Sequence, residues 1–468
     1  MPEPTTILNP LAVVITAVCC LLMLALSRKN ALIPVVVLTC YMTMGDRALI
    51  LGLNFTMIRV LVLFGWIRLI IRGEFHLMRL NRIDKVFLLW AACSVFFYTV
   101  QGFADGEVLD HVKWILGVAY NAIGFYFLGR YLLLDMDDIQ RLIRYTSVLI
   151  LPLAAFMIAE KVTRHNVFGI FGGVRTITAL RDGVLRCQGP FGHPILAGTF
   201  GATPMPLLAA NWWQTKGGRL RAMLGVGAAA VICVTAGSSG PVLAFAAGFL
   251  ALAAWPLRRR LRMIRWGVLA MLVGLQLVMK APVYFLIERV GVFGGSSGGH
   301  RAMLIDEFVK HFGAWWRWGV SREVTATWHA GNMFDIANNY LVQAVNGGIW
   351  TMLAFILIIV VCFQGVGRAV KAMNDRPISD QRTAWCLGCA LFAHMVNYLS
   401  ISYFDQNIVN WLLLLSMIAA ASNIRRPAPA HLAAAPTEPA DELGDLDADA
   451  AASQDSLAGV SKGAWNWQ

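Results

Sequence analysis

Charge is scarce in this 468-residue chain: Asp, Glu, Lys and Arg together make up 14% of it, against roughly 25% in a soluble chain. That scarcity, with 58% hydrophobic residues, excludes an ordinary soluble globular protein. Acidic residues are the scarcer sign, 27 against 39 Lys and Arg. The net charge of +12 does not indicate nucleic acid. The basic residues sit in short segments between apolar runs, as in cytoplasmic loops of membrane proteins. A basic stretch ahead of the first apolar run is missing, so that run is expected to be a retained helix rather than a cleaved signal peptide. Cysteine offers no disulfide framework: of nine Cys, all but Cys187 lie in apolar runs. Cys386 and Cys389 form a C-x-x-C pair, but no second pair or His completes a zinc site, so no metal centre is expected.

What is present is a series of apolar runs near the ~20 residues needed to cross a bilayer. They fall at 7–26, 31–44, 55–71, 86–103, 112–134, 142–159, 195–213, 223–236, 241–255, 264–285, 339–363, 384–402 and 408–421. The runs at 31–44 and 223–236 are short. The expected fold is therefore an all-α polytopic membrane protein with 12–13 transmembrane helices. Basic segments at 72–85, 216–221, 258–265 and 368–382 all follow odd-numbered runs, which assigns that face to the cytoplasm. The two longest loops, about 160–192 and 289–336, then fall outside. Connections of that length are uncommon unless they are functional or disordered. The second carries Trp315, Trp316 and Trp318 and an amphipathic stretch over 301–312, and reads as a small periplasmic loop domain. Residues 1–424 thus make up the membrane domain. Residues 425–468, rich in Ala, Pro, Asp and Glu, read as a disordered cytoplasmic tail.

The first loop holds Lys161, Arg164, Arg175, Arg181 and Arg186 against Glu160 and Asp182. An excess of Arg on an outer face runs against the usual charge bias. Guanidinium forks bind phosphate oxygens in pairs, so the group reads as a diphosphate site, although any single Arg could equally be solvated or meet lipid headgroups. The segment ends in Gly189, Pro190, Phe191, Gly192, His193 and Pro194. Its prolines fix φ, and its glycines permit close approach or positive φ. Pro194 suits the first turn of the next helix, whose N-terminus favours an anion. His193 reads either as a proton carrier or as a positioning hydrogen-bond donor. The stretch from Thr235 through Ser238, Ser239 and Gly240 to Pro241 reads as an external turn or as a break lining a polar cavity. The second loop offers His300, Arg301, Asp306, Glu307, Lys310, His311, Arg317, Arg322, Glu323, His329 and Asp335. Of these, Arg301 and Asp335 stand out by lying near element boundaries. Inside the runs, Arg59, Arg68 and Arg130 are expected to snorkel, and His394, Asn397 and Asp405 to face protein or a wet cavity.

Taken in order, Arg186-x-x-Gly189-x-Phe191-x-His193-Pro194, Thr235-x-x-Ser238-Ser239-Gly240-Pro241, Arg301, Asn338-Asn339-Tyr340-Leu341 and Gly347-Gly348-Ile349 form a pattern. Over about 186–361 it resembles the O-antigen ligase and polymerase-like superfamily, membrane glycosyltransferases of the GT-C type. The resemblance implies transfer of a glycan from a polyprenyl-diphosphate carrier at the outer face of the bacterial inner membrane, without metal, cofactor or nucleotide sugar. Arg186 and Arg301 would bind the diphosphate, with Arg181 and Arg175 nearby. His193, Asp335 and Arg301 would form the catalytic group. Partners would be the lipid-linked oligosaccharide, membrane lipids, and other polysaccharide assembly and chain-length proteins. The family's ligases show His-Asn where this chain has Ala337-Asn338, and often Glu where it has Asn346. The departure points to an exopolysaccharide polymerase-like branch, with Asp335, His329 or His193 left to activate the acceptor. A ligase acting on lipid or protein is the alternative reading. A non-enzymatic flippase is another, but it would need charge through the membrane interior, whereas here charge concentrates in two loops.

Overall fold

The computed structural model describes residues 8–50, 53–106, 108–289, 297–331 and 335–424. The tail expected over 425–468 lies outside the described residues, as do small parts of the second long loop. Each of the thirteen apolar runs falls on helix. In chain order the helices begin with α1 (Pro10–Ala25), α2 (Ile33–Tyr41) and α3 (Met57–Ile71), then α4 (Arg82–Asp105), α5 (Val108–Leu132) and α6 (Met136–Thr163). They continue with α7 (Pro194–Ala202), α8 (Met205–Ala209), α9 (Gly218–Thr235), α10 (Ser239–Ala253) and α11 (Leu261–Val278). Three short helices follow, α12 (Ser297–Lys310), α13 (Phe312–Trp315) and α14 (Arg322–Gly331), and then α15 (Asn339–Ala372), α16 (Ile378–Asn397) and α17 (Gln406–Ser422). Two small antiparallel hairpins interrupt them, β1 (Arg47–Ile50) with β2 (Leu53–Thr56), and β3 (Ala179–Arg181) with β4 (Val184–Arg186).

Polar residues at the starts of the apolar runs place the helix N-termini. Asn9 accepts from the N–H of Leu11 and Pro10 takes the first turn. Asn81 and Asp84 form a reciprocal capping box at α4, Asp135 caps α6 and Asn338 caps α15 through the N–H groups of Tyr340 and Leu341. Such caps satisfy N–H groups that apolar surroundings leave without water.

Among the described residues, six helices are long and apolar enough to cross a membrane: α4, α5, α6, α9, α11 and α15. That is the material of a multi-pass membrane protein, but fewer helices than the 12–13 spans expected. The run at 195–213 is divided at Thr203–Pro204 into α7 and α8. The run at 31–44 yields only the nine residues of α2. α1, α10 and α17 are apolar but shorter. α15 is bent where Gly347 and Gly348 leave helical geometry.

Two arginines expected to snorkel do something else. Arg68 is fully buried, paired with Glu74 at 2.9 Å and donating to the carbonyls of Met23 and Leu26, each at 2.6 Å. Arg130 is buried against Asp84 at 2.9 Å, and the Tyr126 hydroxyl donates to the same carboxylate. Inside an apolar bundle a guanidinium is held by acceptors at every edge, and removing Asp84 would leave an uncompensated charge costing about 3–5 kcal/mol. Arg59 likewise spends its guanidinium on Asn121, Asn54 and Gly117. These are structural contacts inside the bundle.

The segment after α11 forms its own core. Leu304, Phe308, Trp315, Val320, Trp328 and Ile336 pack together and onto Ala344 and Val345 of α15. The amphipathic stretch expected over 301–312 is α12. The cluster anchors Arg301 against the bundle rather than leaving it in a mobile loop.

Candidate functional site

The site begins with Glu160 at the end of α6. This buried carboxylate accepts the N–H of Gln188 at 3.0 Å and of Gly189 at 2.8 Å, with the Thr178 hydroxyl at 3.4 Å. Gly189 sits at φ +54° with a methyl-sized space closed by Met157, so both its conformation and its surroundings require glycine. Asn166 holds the Gly189 carbonyl from the other side at 2.8 Å. The loop that the sequence marked as basic is thus clamped to the bundle, and β3–β4 carries Arg181 and Arg186 out from it. The N–H of Cys187 donates to the Thr235 carbonyl at 3.1 Å, which joins this segment to the turn between α9 and α10.

That turn brings the two key arginines together. A methyl group on Gly237 would lie 3.2 Å from Cγ of Arg186, and one on Gly240 would lie 3.5 Å from Nη2 of Arg301. Both side chains therefore flank one short loop that opens α10. Ser238 precedes α10 without a side-chain hydrogen bond to it. The stretch is a turn between α9 and α10, and its Gly237, Ser238 and Ser239 line a cavity.

The cavity has a volume of about 600 Å³, within the range of small-molecule sites. Arg181, Arg186, His193, Arg301 and Asp335 all line it, with Asp182, His300, Ser238, Ser239, Ser400 and Ser402. Five of the six residues proposed from the sequence are thus in one place. Arg175 is not: it is exposed and reaches the cavity only through its charge acting on His193. Arg181 stands at the mouth, exposed and 3.6 Å from Asp182. Arg301 is 7% exposed, and among the described residues no carboxylate pairs with it. Burial weakens the hold of both Arg186 and Arg301 on their protons, but a guanidinium stays charged in any such site. Nε of Arg186 is buried and has no acceptor among the described residues. Two cations, one deeply buried, thus face one cavity, and among the described residues neither has a carboxylate salt-bridge partner.

His193 contributes in a defined tautomer. Its Nδ1 accepts the N–H of Ile195 at 3.2 Å, capping α7. Its ring lines the cavity. Burial pushes the imidazole down to about 4, and the charges of Arg186, Arg175 and Arg181 add to this against Asp335. The ring is therefore neutral, with its proton on Nε2. Of the two roles left open by the sequence, the donor fits this arrangement.

Other residues named from the sequence lie elsewhere. His329 stands 3.6 Å from Glu307 within the α12–α14 cluster and does not line the cavity. Glu307 also meets Lys310 and His311. His394 contacts the Tyr403 hydroxyl at 2.7 Å, and Asn397 donates to Thr199 at 2.9 Å; both bind α16 to its neighbours. Ala337, where ligases of the resembled family carry His, does line the cavity.

Two residues were undervalued in the sequence. Glu160 counted only as a negative charge, because nothing local shows that a helix-end carboxylate turns back onto a segment 28 residues on. Asp405 stands at φ +54° before α17, with its Oδ2 2.9 Å from where a methyl on Gly192 would sit. Burial pushes its carboxyl up to about 6, and no described residue donates to that carboxyl. The sequence marked it only as an ionisable group beside an apolar run; its positive φ is a structural signal.

No known protein family matches this chain, and no curated protein sequence is significantly similar to it.

Proposed function

We propose that the cavity binds the diphosphate of a polyprenyl-diphosphate-linked oligosaccharide and transfers the glycan to an acceptor hydroxyl, in a polymerase-like step of surface polysaccharide or exopolysaccharide assembly. The observation that carries the reading is Arg301: a buried guanidinium with no carboxylate partner among the described residues, facing the same cavity as Arg186. A buried unpaired cation is strongly unfavourable by itself, and a diphosphate offers the oxygens both forks need. The starts of α7 and α10 lie on the same cavity and favour the same charge.

The step breaks the bond between the anomeric carbon and the diphosphate oxygen and forms one from that carbon to the acceptor oxygen. The electron pair of the broken bond leaves with the diphosphate, where Arg186 and Arg301 stabilise the growing charge. Nε2–H of His193 donates to the same group. A diphosphate leaves without protonation, so no general acid is required. The acceptor hydroxyl loses its proton to a carboxylate, for which Asp335 on the cavity wall is placed. Ser238, Ser400 and Ser402 supply hydroxyls of the kind that bind sugars. The proposal sets the cavity at the periplasmic face of a bacterial inner membrane, since the basic loops of the sequence assign the other end of the bundle to the cytoplasm.

The test is a gene deletion complemented with Arg186→Ala or Arg301→Ala, followed by analysis of polysaccharide length. Removing a donor of this kind lowers turnover on the order of 10²–10³-fold. Single repeats accumulating on the carrier support the polymerase. Full-length polymer lacking only its final attachment makes the protein a ligase. Unchanged polymer in both variants overturns the assignment of the site.

A further inference from the structure

A second group of unsatisfied cations lies at the other end of the bundle. α9 runs from Gly218 to Thr235, and its Thr235 end joins the cavity, so its Gly218 end lies roughly 27 Å away along the helix. The start of α9, the ends of α8 and α10 and the start of α16 meet there. Arg382 of α16 stacks on two indoles, 4.7 Å from the centre of Trp213 and 4.3 Å from that of Trp255. Arg258 lies 4.3 Å from the same Trp255 ring. Trp213 is followed by Gln214, which accepts from Arg144 of α6 at 3.3 Å. Arg141 and Arg221 add two further charges acting on Arg144. Trp213 and Gln214, adjacent in the chain, thus join the Arg382–Trp255 stack to the Arg144 group.

This surface is short of acceptors. Nε of Arg141, Nε2 of Gln214, Nη1 of Arg221 and Nε of Arg382 are buried and find no partner among the described residues. Carboxylates nearby are few or already engaged. Asp137 acts on Arg144, Asp138 pairs with Arg28 at 2.7 Å, and Asp380 accepts from Gln140 at 2.7 Å. Arg258 and Arg382 have no carboxylate partner among the described residues. Buried donors of this kind are rarely left unpaired, and four in one patch point to a missing group rich in acceptor oxygens. Arg with Trp at the end of a membrane helix bundle is also the composition of the interface, where indoles lie at headgroup level.

We propose that this patch binds the phosphate-bearing headgroup of an anionic glycerophospholipid, held by Arg382 and Arg258 around Trp255 and by the donors of Arg141, Gln214 and Arg221. The phosphate takes the orphaned N–H groups, and the indoles seat the glycerol and upper acyl carbons. This site is separate from the cavity and independent of the glycan reading.

The experiment uses the full chain in detergent. Native mass spectrometry follows retention of phosphatidylglycerol, phosphatidylcholine or inorganic phosphate, and thermal unfolding is recorded alongside. The expected result is retention of one phosphatidylglycerol at concentrations where phosphatidylcholine is lost, with an accompanying rise in unfolding temperature. Arg258→Gln with Arg382→Gln should weaken that retention tenfold or more. Arg262→Gln with Arg265→Gln removes the same charge from exposed positions of α11 and should leave retention unchanged. Where the Arg258/Arg382 pair fails to stay monodisperse, Arg382→Lys replaces it: it keeps the charge, loses the fork, and should still weaken retention. Equal loss in the α11 control, retention of phosphatidylcholine equal to phosphatidylglycerol, or stabilisation by inorganic phosphate alone without lipid retention would overturn the proposal.

Discussion

Nδ1 of His193 accepts the N–H of Ile195 at 3.2 Å, so the ring is at once the cap of α7 and a donor facing the cavity. The two roles separate by substitution. His193→Asn keeps a good cap and should hold the unfolding temperature near wild type while lowering transfer. His193→Ala should lose both, with a stability decrease of about 1 kcal/mol. The pH dependence has a definite sign. The folded value is about 4, below the ordinary 6.5, so the unfolded chain binds more protons between the two. The contribution of His193 to stability is full above about pH 6.5 and falls as pH drops toward 4. The transfer rate should show no limb from this group near neutrality.

Glu160 and Gly189 give a prediction away from the cavity. Glu160→Ala removes two charge-assisted hydrogen bonds to backbone N–H groups, worth on the order of 2–3 kcal/mol together with the buried donors left unsatisfied. Hydrogen exchange should show Gln188 and Gly189 losing protection first. Transfer should fall although no lining side chain has changed. Glu160→Ala with full activity would remove the clamp from the description of the site.

Arg301 allows a sharper test, because structure and function should respond in opposite directions. Arg301→Met replaces a buried unpaired cation with an apolar chain of similar length. Stability without substrate should be unchanged or raised by about 1–2 kcal/mol, and transfer should be abolished. A soluble diphosphate should raise the unfolding temperature of the wild type and not of the variant. A large loss of stability in Arg301→Met would instead give the residue a structural role like that of Arg68.

The contrast between those arginines shows what was legible in the sequence. Every apolar run fell on helix, because bilayer length and apolar composition are local properties. The residues flanking the cavity were legible as types at motif spacing: Arg186, His193 and Arg301. What was not legible was the partner of each charge. Arg68 and Arg130 look like interface arginines until Glu74 and Asp84 are found beside them, and Arg175 looks like a cavity residue until its exposure is seen. Helix lengths were overestimated for the same reason: a Pro at 204 inside an apolar run ends α7, and hydropathy does not register it.

Asp405 carries the pH prediction of opposite sign. Its carboxyl stands at about 6 in the folded chain, above the ordinary 3.8, so the folded state holds the proton more tightly. The stability it contributes is present below about pH 3.8 and is lost as pH rises through 6. Asp405→Asn should therefore stabilise the protein at pH 8, by on the order of 2 kcal/mol, and should have little effect at pH 4. Thermal unfolding at the two pH values checks it, and equal shifts at both would show that the effect is not one of charge.

Ala337 tests the choice of Asp335 as proton acceptor. The residue lines the cavity, directly before the Asn338 cap of α15, and an imidazole there would face the same space as Asp335. In the proposed reaction Asp335→Asn should lower transfer strongly, since the acceptor proton then has nowhere to go. Ala337→His in that background supplies a base from the neighbouring position. Partial recovery is expected, with a new limb in the rate profile near the His value of about 6.5, because the ring must be neutral to accept. Recovery with that limb ties the acceptor hydroxyl to this wall of the cavity. If Asp335→Asn alone retains full activity, the proton leaves by another route, and Asp405 behind Gly192 becomes the carboxylate to substitute next.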